Sequence, residues 1–544
     1  MSSPELFEGA TGLKVDLIVT NAFVHTMEPG HPRAGAMAVI GSRIAAIGST
    51  RDIGMLASSK TRVIDAGGRL VLPGFNDSHV HFLAGGSSLN NLDLRSAESP
   101  EEFTRRVEVF ARSCAAGTWI QGGDWDHENW PGSPLPDSSM VDCVSGHPVF
   151  VSRLDGHMGL ANSLALRLAG VTRETKDPPG GLIVRDPRSG EPTGVLKDTA
   201  MDFITRVIPP PGPEERHRAA LAATRHAVEH GVTSVTDVSA DDDIGLYQKM
   251  AEDGELKNRI YGTRSIVNWE VSGRAGIRAG FGNDWVRSGG IKGFSDGSLG
   301  SLTALFVDPY ADDPGNRGLL FDQMLPEGIM LERTLGADRA GLQVMIHAIG
   351  DAANQQMLDI FAAVAEANGP RDRRCRVEHA QHLRREDIAR FGNLGVIASM
   401  QPYHAADDGR WCEKRLGRER CAQAYAFRSL LDTGAVLAFG SDWTVAPLNP
   451  LTGIKAAVTR QTLDGKNPDG WVPEEKITVE EAVRAYTMGS AFAEFAEHQK
   501  GSLVPGKLAD FVILEEDIFA MDPSGIDRVR VLCTVVGGRV VHEI

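Results

Sequence analysis

His79 and His81 stand two residues apart in LPGFNDSHVHF, directly after an apolar run. In extended backbone alternate side chains share a face, so this spacing lets both imidazoles converge on one metal ion. A pair of exposed loop histidines would have the same spelling. Two further histidines close apolar runs, His347 in LQVMIHAIGD and His379 in CRVEHAQH, and Asp442 closes a third in VLAFGSDW. Taken singly, each histidine is better explained as a satisfied core or loop residue, and the aspartate has the alternative of capping a turn. Taken together they are imidazole and carboxylate donors of the kind that hold a divalent metal. His382, three residues past His379, falls in the following loop or helix start and is the weaker donor. Lys292 in IKGFSDGSLGS sits inside an apolar run, where a charged side chain needs a reason. Either it snorkels to solvent, or it is carbamylated by CO2 and becomes an anionic bridging ligand.

The elements that would position these residues alternate apolar, β-rich runs with helical periodicity, the pattern of a parallel α/β fold. Candidate strands cover 70–75, 233–238, 259–267, 291–294, 342–347, 376–379, 395–400 and 435–439. Eight strands with intervening helices fit a (β/α)8 barrel, in which the C-terminal strand ends face one mouth. That geometry is what makes scattered histidines into one candidate site. The two chain ends read differently. Short alternating strands at 15–21, 23–27, 36–40 and 43–47, and again at 509–514, 529–536 and 539–541, are broken by Gly and Pro and suggest an antiparallel sandwich built from both termini. About 150 residues separate the first two barrel strands, where one βα unit needs far fewer, so an insertion subdomain is expected there. The expected division is 1–69 with 498–544 for the composite β-sandwich, 70–83 with 213–497 for the barrel, and 84–212 for the first barrel helix plus a lid.

The lid segment carries Trp119, Trp125 and Trp130, which suggests an apolar or aromatic binding wall. His157, in its DGH stretch, is placed to reach over the mouth, and His404 in MQPYH follows the seventh strand, where it would hold a substrate carbonyl or an oxyanion. Asp296 and Trp125 are weaker substrate contacts, with turn formation and core packing as their alternatives. The chain has 544 residues, with 56 Lys plus Arg against 72 Asp plus Glu and a net charge of −16. Without a basic cluster, nucleic acid and anionic membrane are poor partners and a small-molecule substrate is expected. Few basic residues accompany the motifs, which argues against highly anionic substrates. Six cysteines without a C-x-x-C pair, no signal-peptide pattern and no long apolar run point to a soluble, reduced, cytoplasmic setting.

The ordered set of HVH, Lys292, His347, His379 and Asp442 resembles the amidohydrolase superfamily. More narrowly, GGDWDHENW, VSRLDGHMGLANSLAL, IKGFSDGSLGSLTALFVDPY, HAIGDAAN, RVEHAQ, FGSDWTVAPLNPL and LVPGKLADFVIL resemble its YtcJ-like branch, which includes N-substituted formamide deformylases. The resemblance spans nearly the whole chain. It implies that His79, His81 and Asp442 bind a more buried metal and that His347 and His379 bind a second, with Lys292 bridging as a carbamate. Zinc is the default, although Mn, Fe, Co or Ni fit the same donors, and a homodimer is implied on the same ground. The implied activity is hydrolysis of a linear amide such as an N-formyl or N-acyl amine, with metal-activated water as nucleophile and Asp442 as general base and then acid. A cyclic amide, carbamate or ester as substrate, and a non-catalytic binding protein that keeps the fold, are the alternatives.

Overall fold

The computed structural model describes residues 14–89 and 91–544. The apolar runs of the middle of the chain pair in parallel, as strands buried on both faces do. In chain order they are β1 (Phe75–Val80), β2 (Val232–Asp237), β3 (Arg259–Ser265), β4 (Val286–Phe294), β5 (Gln343–Ala348), β6 (Arg376–His379), β7 (Ile397–Met400) and β8 (Leu437–Phe439). Each pairs with the next, as in Ile291 opposite Val344, Ile346 opposite Val377 and Ala398 opposite Leu437. The ring closes where the segment that follows β8 pairs with the end of β1. There Val80 bridges Trp443, His81 N–H donates to Trp443 O at 2.8 Å, and Asp442 N–H donates to His79 O at 2.7 Å. Gly440 makes this approach feasible, since a Cβ there would lie 2.6 Å from Asp77 Oδ1. The result is a (β/α)8 barrel whose C-terminal strand ends share one mouth.

One expected element moves. The run at 70–75 is not the first barrel strand: Leu70–Pro73 pairs with Phe511–Leu514 and with Phe23–His25 in a terminal sheet. Pro73 and Gly74 end that strand, and Gly74 N–H is taken by Asp510 O at 2.9 Å. The barrel strand proper, FNDSHV, is polar in part because its inward face lines the mouth.

Strands from both chain ends form two sheets. One contains Arg43–Gly48, Ala36–Ile40, Leu17–Thr20 and Arg62–Asp65 in that order; the other contains Arg539–Glu543, Val531–Val536, Phe511–Leu514, Leu70–Pro73, Phe23–His25 and Arg33–Ala34. Leu17, Val19 and Val39 pack against Val71, Phe511 and Val535 between them. The sandwich is mixed rather than purely antiparallel, because Leu17–Thr20 runs parallel to Arg62–Asp65 and Phe23–His25 parallel to Leu70–Pro73.

The insertion after β1 has its own six-stranded sheet, with Phe150–Arg153 and Met158–Ala161 at its centre. Helix Pro100–Ala111 starts where the Ser99 side chain accepts the Glu102 N–H and Pro100 occupies the first turn. It buries Phe103 and Val107 in a core shared with Trp125, Trp130 and Leu160. Among the described residues no helix is long and apolar enough to cross a membrane.

Candidate metal centre

Barrel geometry delivers the donors from four different strands. His79 is the penultimate residue of β1, His347 the penultimate of β5, His379 the last of β6, and Asp442 follows β8 by three residues. All four are at least nine-tenths buried, as is Lys292 on β4. The His79 and His379 ring centroids lie 4.8 Å apart, and His347 is 4.5 Å from His379. Donor atoms of His79, His379 and Asp442 all fall within 4.8 Å of one another. His81 sits nearer the mouth, its side chain 32% exposed, with Nε2 3.3 Å from Asp442 Oδ1. The group that converges most tightly therefore draws on both of the ligand sets expected from the sequence. His379 (φ 77°) and Asp442 (φ 58°) hold left-handed backbone, a strain that persists only where surrounding structure enforces it.

Each inner imidazole is oriented by a partner behind it. His79 Nδ1 is 2.5 Å from Glu378 Oε2, and His379 Nδ1 is 2.8 Å from Gln401 Oε1. With an acceptor on Nδ1 the proton resides there and Nε2 keeps its lone pair, as ligation requires. His347 is set the other way, with Nε2 3.0 Å from Gly297 O. Glu378 is itself held by Arg376, whose Nε lies 2.7 Å from Oε1 as an ion pair.

Burial lowers the pKa of His79 to about 4, with Lys292 adding and Glu378 opposing, and burial puts His347 and His379 well below the ordinary histidine value. All three are neutral imidazoles near pH 7. Burial would raise the Asp442 carboxyl, but His79, His81 and His404 override it and hold it well below the carboxylate range. For Glu378 burial acts the same way and is overcome by Arg376 and His79, which bring it to about 2. Burial takes the Lys292 ammonium down to about 8, and its Nζ lies 4.7 Å from the Phe294 ring centre. Asp442 Oδ1 is buried without an aligned hydrogen bond. An orphaned anionic oxygen beside neutral, pre-oriented imidazoles fits a divalent cation.

The donors open into a cavity walled by the barrel mouth and the insertion. His157 lines it, with Nδ1 2.7 Å from Asp198 Oδ1 and its ring 5.1 Å from His347; burial would lower its pKa, but Asp198 raises it. His404 also lines it, 7% exposed, with Nε2 unpaired and 3.9 Å from Asp442 Oδ2. Asp296 and Trp125 do not reach the cavity. The Asp296 carboxylate accepts backbone N–H bonds from Leu305, Ile349 and Gly350 at 2.8 to 3.0 Å, bracing the loops after β4 and β5. Trp125 Nε1 donates to Val151 O at 2.9 Å inside the insertion core. His382 is buried between Phe306 and Tyr425, apart from the donors.

Sequence reasoning passed over Glu378, Gln401 and Asp77. Asp77 accepts from Ser441 N–H at 3.0 Å and His79 N–H at 3.1 Å, pinning the Asp442 turn to β1, and burial raises its carboxyl to about 7. The face shared by Asp77, His79 and His81 was the available signal.

The model of the amidohydrolase family matches residues 62–542. The chain is 41% identical to Protein LONG AFTER FAR-RED 3 of Arabidopsis thaliana, across 98% of this chain and 92% of that protein. It is 32% identical to the putative amidohydrolase YtcJ of Bacillus subtilis, across 96% and 98%, and 26% identical to the N-substituted formamide deformylase of Arthrobacter pascens, across 97% and 98%. A crystal structure of an uncharacterized metal-dependent hydrolase from Pyrococcus horikoshii superposes with a TM-score of 0.76 at 27% identity, covering 93% of this chain and 99% of that one.

Proposed function

Since the chain belongs to the amidohydrolase family, we propose that it is a metal-dependent hydrolase of a carbon–nitrogen bond in a non-peptide, linear amide, such as an N-formyl or N-acyl amine. The observation that carries this reading is the convergence of His79, His379 and Asp442 donor atoms within 4.8 Å. The full-length relationship to a formamide deformylase supports the choice of bond.

His79, His379 and Asp442 would hold the metal, assigned as zinc, with His81 and His347 at its margins. When bound, the metal supplies Lewis acidity and brings the pKa of water from about 15.7 to about 7. Asp442, kept ionised by the surrounding imidazoles, accepts the proton of the attacking water at a carboxylate oxygen and returns it to the departing nitrogen. His404 Nε2, buried and unpaired, offers a hydrogen bond to the acyl oxygen as charge develops there. His157, braced by Asp198 and lining the cavity beside His347, orients the substrate. Lys292, with its ammonium brought down to about 8, presents a fraction of free amine near neutral pH, the form that reacts with CO2 to give a carbamate.

The test is metal content by mass spectrometry together with turnover on matched formamides, acetamides, carbamates and esters. Stoichiometric metal and amide cleavage are expected. A protein that stays metal-free after growth in metal-supplemented medium, or that cleaves esters and no amide, would overturn the proposal.

A further inference from the structure

The cavity is asymmetric beyond its reacting end. Besides Asp442, four carboxylates line it, those of Asp126, Asp155, Asp407 and Asp408. Three of them are answered by arginines. Asp126 Oδ1 lies 2.7 Å and Asp155 Oδ2 2.5 Å from the Arg153 guanidinium, and Asp407 pairs with Arg410. Asp155 also accepts from Ser298 Oγ at 2.6 Å and Ser301 Oγ at 3.0 Å. Asp408 is different. Its Oδ2 accepts the Tyr425 hydroxyl at 2.6 Å, and among the described residues no lysine, arginine or histidine forms an ion pair with it.

A half-buried carboxylate without a counter-charge is costly unless a ligand supplies one. Asp408 also lies four residues after His404 on the short helix Pro402–Asp408, so both occupy one helix face about one turn, or 5.4 Å, apart. His404 is more than nine-tenths buried, lines the same cavity, and has an unpaired Nε2. One helix face thus offers an unpaired imidazole nitrogen on His404 and, one turn further along, a carboxylate with a hydroxyl partner and no ion pair.

Resting on the amide-hydrolase reading above, we propose that Asp408 is a specificity residue that selects amides whose departing amine carries a second, protonated amino group a few bonds from the scissile nitrogen. The ammonium group would take the place that arginines fill beside the other three carboxylates. Burial, with Asp407 beside it, pushes the Asp408 carboxyl up to about 7, against the opposing hydrogen bond from Tyr425 and the weaker pull of Arg153 and Arg410, and a cation bound in the cavity would relieve that penalty. A net charge of −16 favours the approach of cationic substrates.

The matched probes are N-formyl-1,4-diaminobutane and N-formylpentylamine, which differ by an ammonium in place of a methyl group. The wild-type protein is expected to favour the first in kcat/KM, chiefly through KM. Asp408→Asn should lower the ratio of the two kcat/KM values by about 10- to 100-fold, the worth of one charge-assisted hydrogen bond, and Asp408→Glu should restore part of it. A ratio within about twofold of wild type in Asp408→Asn, or a wild-type preference for the neutral amide, would overturn the assignment. Calorimetric binding of the same two compounds to the metal-loaded protein separates this proposal from the reading it rests on. If neither amide is cleaved, the linear-amide reading falls, while tighter binding of the ammonium compound that disappears in Asp408→Asn still supports Asp408, and equal binding of the two by wild type refutes it. The wild-type comparison decides the matter even where a variant fails to fold.

Discussion

Glu378→Gln is the sharpest probe of how the centre is built, because Glu378 is placed behind His79 and outside the converging donors. Its carboxylate is fully buried, 2.5 Å from His79 Nδ1 and 2.7 Å from Arg376 Nε. The folded-state value of about 2 lies below the ordinary 4.5, a difference worth about 3 kcal/mol at 1.36 kcal/mol per pH unit. A depressed carboxylate stabilises the fold above its unfolded value and loses that contribution as pH falls through the folded one. The metal-free variant should therefore be less stable than wild type by about 3 kcal/mol at pH 7, and the gap should close below pH about 4.5 toward about 2. Arg376 keeps hydrogen bonds to Ser78 O and to Ser399 Oγ, so the substitution does not strand it completely. Metal affinity should fall about 10- to 100-fold, the usual result of removing the carboxylate behind a ligating imidazole. Chelator competition measures the affinity, and denaturant melts of the metal-free protein from pH 7 to pH 3 measure the stability. Metal affinity within about twofold of wild type, with a gap in stability that does not narrow in acid, would refute the orienting role assigned to Glu378.

Asp442→Asn should retain a large share of its metal yet lose about 100- to 10,000-fold in kcat, the worth of one proton-transfer group; metal analysis beside single-turnover kinetics checks both halves. Burial takes the pKa of His382 from 6.5 to about 3, and neither ring nitrogen has a partner, so its stabilising contribution is present above about 6.5 and lost as pH falls through about 3. His382→Phe should accordingly lose less stability than wild type between pH 6.5 and 4, by at most about 3 kcal/mol, with metal content unchanged; parallel acid melts decide it. Gly440→Ala would push a methyl to 2.6 Å from both Asp77 Oδ1 and His79 N, so it should cost about 1 to 3 kcal/mol and weaken metal binding together, read by melting and chelator titration.

Strand alternation explains both what the primary structure displays and what it conceals. The i, i+2 rule that pairs His79 with His81 applies equally to Asp77, which indeed shares their face and holds the Asp442 turn in place. Extended one residue pair further back, the pattern in NDSHVH would have exposed it. The same rule fails on β6, where strict alternation puts Glu378 on the face opposite His379. The structure instead brings both toward β1, because His379 leaves the strand with φ 77° and turns its ring inward while Glu378 reaches His79 from within the barrel. No local spelling announces that turn, since non-glycine residues rarely adopt it without tertiary enforcement. The first strand was misplaced for a related reason. Apolar content marks Leu70–Pro73, which is buried between sheet layers, whereas the strand that carries the donors is partly polar and so reads as loop. Trp125 marks the other limit. An aromatic wall and an aromatic core have one composition, and only the contact of its Nε1 with Val151 O, in a sheet formed by distant segments, assigns it to the core. What a sequence shows of such a site is thus the ligand types at strand ends. What it hides is the long-range partners that orient them, since the Glu378–His79 and Gln401–His379 contacts exist only once the ring of strands has closed.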